Sequence, residues 1–202
     1  MGKKVARVAG LTGLAAGLVA LAGAAAAPAL AATADTGGTF SIGIPRGHVA
    51  SLAKAGIVVL PTGPGTAAVV NSGERITLPV TSGNANFIGT SGTLHLAGGI
   101  EFIDGATGKS VTLSALSFSY DTAEIGARAG GHGLGLGLIG GSENGTQDPV
   151  SGTPTSQTFT ASSISLTAAA ARYLDRVLHT KYFKAQSDLG SLVTTYDIET
   201  VS

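Results

Sequence analysis

The sequence predicts a mainly β, antiparallel, sandwich-like single domain with one α-helix near its C-terminal end, at about 168–180. Three observations predict it. Apolar residues alternate with period two through segments spread over 74–198, as in half-buried strands. Clusters of Gly, Pro, Ser, Thr, Asn and Asp punctuate these segments as turns. One long stretch, opening after Thr167, carries a helical stripe instead.

Taken in order, the first element is a short helical turn at 47–55, with Val49, Leu52 and Ala53 inward. Two short apolar strands follow, Ile57-Val58-Val59-Leu60 and Ala67-Ala68-Val69-Val70, parted by the turn Pro61-Thr62-Gly63-Pro64-Gly65. Across 74–80, Ile76, Leu78 and Val80 alternate with polar or small partners. Pro79 lacks an amide donor, so this strand should lie at an edge or end there. Residues 93–103 read as a strand interrupted by Gly98-Gly99, a bulge or sharp bend. Residues 104–108 form a turn, and 110–121 resume the pattern. The apolar face switches at Ala115-Leu116, which marks a second bulge in this long hairpin.

Leu134, Leu136 and Leu138 alternate with glycines, which predicts a strand with leucines on one face and glycines on the other. Residues 141–157 are polar and rich in Gly, Ser, Thr and Pro, and read as one flexible loop. A strand follows at 158–166, with Phe159, Ala161, Ile164 and Leu166 apolar. Thr167 suits the N-cap of the helix, whose inner stripe is Ala170, Tyr173, Leu174, Val177 and Leu178. Residues 189–198 supply a closing strand.

The N-terminus reads differently. Lys3, Lys4 and Arg7 precede an apolar run from Val8 to Leu21, and no charge follows until Asp35. Ala29-Leu30-Ala31 and Ala32-Thr33-Ala34 each offer the small-residue pattern of signal peptidase. Residues 1–34 are therefore expected to be a secretory signal peptide, cleaved after Ala31 or Ala34, with membrane contact only during export. No twin arginine is present, so the Sec route is favoured. The expected product is secreted or associated with the cell envelope.

Composition excludes several classes. The 202 residues hold 12 basic and 12 acidic side chains and no Cys, so neither a disulfide scaffold nor a thiolate zinc site exists. Without a basic surplus, a nucleic-acid partner is not expected. Loss of residues 1–34 removes three basic side chains and no acidic ones, leaving a net charge of −3.

Chemical motifs are few. Gly135 to Gly140 match G-x-G-x-x-G, but the dinucleotide fingerprint needs a helix next, and a polar stretch follows instead. His48, His95, His132 and His179 lack metal-ligand spacing. No G-x-S-x-G is present, and the pairs Glu101/Asp104 and Asp121/Glu124 read as strand ends or turns. An enzyme is not expected. Tyrosinate can ligate haem iron. Tyr173 falls on the helix stripe, whereas Tyr120 at a strand end and Tyr182 after the helix are the weak haem-ligand candidates.

With these elements in place, a family resemblance emerges. Gly92-Thr93-Leu94-His95-Leu96-Ala97-Gly98-Gly99-Ile100-Glu101-Phe102 resembles a glycine-pair strand of HtaA-type domains. Gly108 to Ser114, Ile164 to Leu174, and Phe183 to Leu192 are similar to further segments of that family. The resemblance implies an exported actinobacterial module with a β-sandwich-like core, some members of which bind haem and pass it towards a membrane transporter. Haem-binding members begin with a Trp-containing segment and a nearby ligand Tyr, whereas Thr39 to Pro45 contain neither. No ligand residue therefore carries over by position. Two functions follow: a secreted non-catalytic module for haem or another flat apolar ligand, or an envelope or extracellular interaction module without a small ligand. An unrecognised hydrolase is a third, and it requires a clustered Ser or carboxylate with His.

Overall fold

The computed structural model describes residues 37–87, 90–148 and 156–197. The expected signal peptide lies outside them. In chain order the elements are β1 (Gly38–Pro45), α1 (Arg46–Lys54), β2 (Ile57–Thr62), β3 (Thr66–Val70), β4 (Gly73–Gly83), β5 (Thr93–Leu96), β6 (Gly99–Asp104), β7 (Lys109–Ser119), β8 (Glu124–Ala129), β9 (His132–Asp148), β10 (Ser156–Leu166), α2 (Ala168–Leu178) and β11 (Ser191–Asp197).

The architecture is a closed barrel and not a sandwich. Antiparallel neighbours run β7-β5-β4-β1-β11-β10-β9-β8, and β8 returns to β7 through pairs from Leu113↔Ala129 to Ser119↔Glu124. Closure of these eight strands removes the free edges that two packed sheets would leave. Three strands lie outside the ring. Beyond the bend at Gly98, β6 continues along β7, β2 pairs with β6, and β3 pairs with β4. Gly98 adopts φ +82, and a side chain there would meet the Thr62 carbonyl oxygen at 2.6 Å. The bend predicted at the glycine pair is thus a requirement of close backbone approach.

Ala115 takes φ +46, and the β7–β8 register shifts between Ser114 and Ser117, the bulge expected from the switch of apolar face. Other expectations are corrected. Pro79 lies on an interior strand, between β1 and the β3/β5 side. It falls where β3 has ended opposite Thr77 and just past the β5 pair Val80↔Leu96, where its carbonyl still accepts from the Ala97 amide at 2.9 Å, so its missing N–H costs one ladder bond at a strand end. The predicted loop at 141–157 is strand at both ends: Asp148 to Glu143 pair with Ser156 to Ala161. Its polarity misled because Gly145 faces Phe87, which fills the space its own side chain would occupy. The leucines of β9 do not share a face. A shift at Ile125/Gly126 places the bulge at Leu136, so Leu136 and Ile139 are buried and Leu138 is 47% exposed. On α1, Leu52 is buried but Ala53 is exposed.

α2 ends at Leu178, the last residue of its inner stripe and two residues before the expected end at 180, where His179 turns left-handed at φ +57. Its N-cap Thr167 accepts from the Ala170 amide at 3.0 Å and donates its hydroxyl to the Gly135 carbonyl at 2.5 Å. One side chain thus caps the helix and ties it to β9. Thr167→Ala should cost about 1–2 kcal/mol in chemical denaturation, with Thr167→Ser near wild type. Equal stability of all three would overturn that role.

Asp104 is buried at the β6–β7 turn, where it accepts from the Thr107 hydroxyl at 2.7 Å and the Ala106 amide at 2.9 Å. The Thr107 hydroxyl first, then the Ala106 amide, hold its carboxyl below the ordinary value of 3.8, with His179 adding a smaller pull. A lowered folded pKa favours the folded state above the unfolded pKa, and that contribution is lost as pH falls through the folded value. The acid limb of the stability profile should therefore flatten in Asp104→Asn. An unchanged limb would show that the turn does not report on pH.

Candidate functional site

The barrel interior divides by side-chain type. At one end five rings meet: Phe118 stacks on Phe159 at 5.6 Å, Tyr120 meets Phe159 edge-on at 4.9 Å, and Phe87 and Phe40 pack against them. The Gln157 side chain accepts from the Phe87 amide at 2.7 Å, and the Tyr196 hydroxyl donates to the Gly83 carbonyl at 2.7 Å. These bonds satisfy polar groups at a buried end. The other end is lined by aliphatic side chains, among them Ile42, Ile76, Ile100, Leu136 and Ile164, around a chamber of about 40 Å³. That volume is far below the several hundred Å³ of a small-molecule pocket.

A larger groove lies over this aliphatic end. One wall is α1, which follows β1 directly and lays Leu52 into the core with His48 one turn earlier. The other wall is the chain that leaves α2. The Asp175 carboxylate accepts from the Phe183 amide at 3.0 Å, fixing the return after His179. Phe183 is buried edge-on against Phe102 at 5.7 Å, and Tyr182 stands edge-on to Phe183 at 5.2 Å. Further on, backbone bonds between Leu166 and Ser187 and between Ile164 and Leu189 pin the segment to β10.

Between these walls the groove measures about 390 Å³. Leu166, Phe183 and Leu189 line it with apolar surface, while His48, Ser51, Lys181, Tyr182, Lys184 and Ser187 supply its polar groups. His48, Phe183 and Leu189 also line the chamber, so they separate it from the groove. Among the described residues no carboxylate lines the groove, and both lysines are exposed. The site is therefore apolar within and cationic at its mouth. Two roomier concavities, one over β7 to β9 and one beside α2, share no residue with the chamber.

The two tyrosine candidates lie apart. Tyr120 belongs to the aromatic end, and burial, with the nearby Glu143 charge, pushes its phenol above the ordinary 10.0. That shift disfavours the phenolate that iron ligation needs. Tyr182 borders the groove beside Phe183, whereas Tyr120, just past the end of β7, packs among Phe87, Phe118 and Phe159, none of which lines the groove. Tyr173 lies on α2, half-buried, with the Arg176 guanidinium 5.5 Å from its ring.

His48 is a groove residue that metal-spacing arguments passed over. The available signal was its position four residues before Leu52, which puts both on one helical face. His95, His132 and His179 are exposed elsewhere. Among the described residues no group of three or more His, Asp or Glu could hold a metal ion. Gly135 to Gly140 lie wholly within β9, with no helix following them.

No known protein-family profile matches the chain, and no curated protein does. Solved structures do. The C-terminal domain of HtaA from Corynebacterium glutamicum matches with a TM-score of 0.53 at 16% identity, over 81% of this chain and 99% of that one. The heme binding protein HtaB from Corynebacterium glutamicum matches at 0.50 and 13% identity, over 81% and 94%. At these identities the likeness is one of fold, and the HtaA-type resemblance read from the sequence holds at that level.

Proposed function

We propose that this divergent HtaA-like domain is a secreted, non-catalytic binding module that seats a flat apolar ligand with anionic groups, haem being the candidate, in the groove between α1 and residues 181–189. One observation carries the reading: an apolar floor bordered by Tyr182 and His48 on opposite walls, with Lys181 and Lys184 at the mouth. Haem asks for those three things, namely apolar contact for the ring, an oxygen or nitrogen donor for iron, and cations for its propionates. HtaB, a neighbour in fold, is a heme binding protein. Tyr182 would hold the iron that haem supplies, and Lys181 and Lys184 would partner its carboxylates.

Titration of the purified protein with haem tests this, followed at the Soret band. A saturable shift at one-to-one stoichiometry is expected. A broad, unsaturable change would sink the reading. The second reading, an envelope or extracellular interaction module without a small ligand, draws on the chamber of about 40 Å³, which leaves the barrel itself filled. It gains if no saturable shift is seen. Secretion rests on residues 1–34. N-terminal sequencing of protein recovered from the medium should begin at Ala32 or Asp35, and a start at Met1 would overturn the signal-peptide assignment.

A further inference from the structure

β3 is the strand least covered by the rest of the chain. Thr66, Ala67, Ala68 and Val69 are all exposed, so both of its faces meet solvent, and Val69 is 90% exposed. It is nonetheless firmly placed. Its connection to β4 is the two-residue turn Asn71-Ser72, held to α1 by the Arg46 amide on the Ser72 carbonyl at 2.8 Å and the Arg46 guanidinium on the Asn71 carbonyl at 3.2 Å.

The register fixes which backbone groups are free. Val70 faces Gly73 across that turn, and in such hairpins the flanking pair and every second pair beyond it exchange hydrogen bonds. Val70, Ala68 and Thr66 therefore bond to Gly73, Arg75 and Thr77. The outward carbonyl of Pro79, which accepts from the Ala97 amide at 2.9 Å, confirms the parity on β4. Ala67 and Val69 turn their N–H and C=O groups away from β4. Among the described residues no strand pairs that edge. Natural edges are protected by charge, proline or a bulge. β3 has none of these, whereas the other open edge, β2, contains Pro61.

We propose that β3 is a dimerisation edge whose partner is β3 of a second copy, antiparallel about a twofold axis at Ala68. The free groups are symmetric about that residue. Self-pairing sets Ala67 of each copy opposite Val69 of the other and forms four main-chain hydrogen bonds, with Ala68 opposite itself. An axis at Ala67 would set Val69 against Gly65, whose amide already bonds to Thr62. An axis at Val69 would set Ala67 against Asn71, whose carbonyl is taken by Arg46. One register satisfies all four groups. The nearest like charges, the two Arg75 side chains opposite Ala68, would be three strand spacings apart, about 14 Å and beyond the screening length. Five residues make a small interface, so the dimer belongs to the weak, concentration-dependent class.

The absence of cysteine from the chain gives a direct test. Across a non-hydrogen-bonded antiparallel pair the Cα atoms are about 4.5 Å apart, within disulfide range. Two Val69 positions would be about 8 Å apart, outside it. Under mild oxidation Ala68→Cys should form a covalent dimer about tenfold faster than Val69→Cys, although Val69 is the more exposed. Ala67→Pro removes an N–H that only the dimer uses, so it should keep the melting curve and abolish that crosslink. Sedimentation equilibrium of the unmodified protein should show concentration-dependent dimer. Crosslinking of Val69→Cys as fast as Ala68→Cys, a crosslink indifferent to Ala67→Pro, or a strict monomer up to about 1 mM would each overturn the proposal.

Discussion

Phe118→Ala should lower the free energy of unfolding by about 3–5 kcal/mol. Phe118 is 1% exposed and its ring lies 5.6 Å from Phe159, 6.0 Å from Phe40, 6.1 Å from Tyr120 and 6.5 Å from Phe87. Truncation removes its transfer free energy and opens a void bounded by four other rings. A barrel wall resists collapse into such a void because its strands are tied on both sides, which argues for the upper part of the range. Val69→Ala is the matched control, since Val69 is almost fully exposed and should shift stability by no more than about 0.5 kcal/mol. Denaturant midpoints at constant slope give both values. A loss under about 1 kcal/mol for Phe118→Ala would mean that the rings do not pack as described.

Tyr182→Phe should weaken haem binding by about 10–100-fold, the usual effect of disturbing a metal ligand or its support. Tyr120→Phe should leave affinity unchanged, because Tyr120 sits in the aromatic end and not at the groove. Lys181 and Lys184 give a second arm. Haem dimethyl ester lacks the propionate charges, so it should bind the wild-type protein and a Lys181→Ala/Lys184→Ala variant equally, while free haem should distinguish them. The Soret titration reads all four combinations. Equal binding by wild type and Tyr182→Phe would move the ligand away from Tyr182, with His48 the other donor lining the groove. Loss of binding in Tyr120→Phe would move the site to the other end of the barrel.

Local features were legible in the sequence because they have local causes. The bulge at Ala115-Leu116, the Gly98 bend and the Thr167 cap each follow from a few neighbouring residues. Barrel closure was not legible, since strands of a sandwich and of a barrel share the same alternation. What decides between them is the distant β7–β8 register and the insertion of β1 between β4 and β11. The second half of β9 was missed because it takes its packing from Phe87, on another segment, and presents no apolar pattern of its own. The site was half legible. Tyr182 stood out as a Tyr just beyond a helix, but the groove needs α1 folded against residues 181–189, and sequence spacing could not bring His48 to them.

The place of β1 has a consequence for the order of folding. Its neighbour β11 lies at the far end of the chain, and the bond from the Thr194 hydroxyl to the Thr39 carbonyl spans 155 residues. A chain emerging from its N-terminus can form the β3–β4 and β6–β7 hairpins early, but the ring cannot shut until its last strand is available. Until then β1 and β10 each lack a neighbour, and the apolar interior stays open to water. Contacts this distant put the domain among slow folders, on the millisecond-to-second scale. The unclosed intermediate is the form most exposed to aggregation. Removing β11 should therefore do more than trim a terminus, because it reopens the ring on both sides of the missing strand.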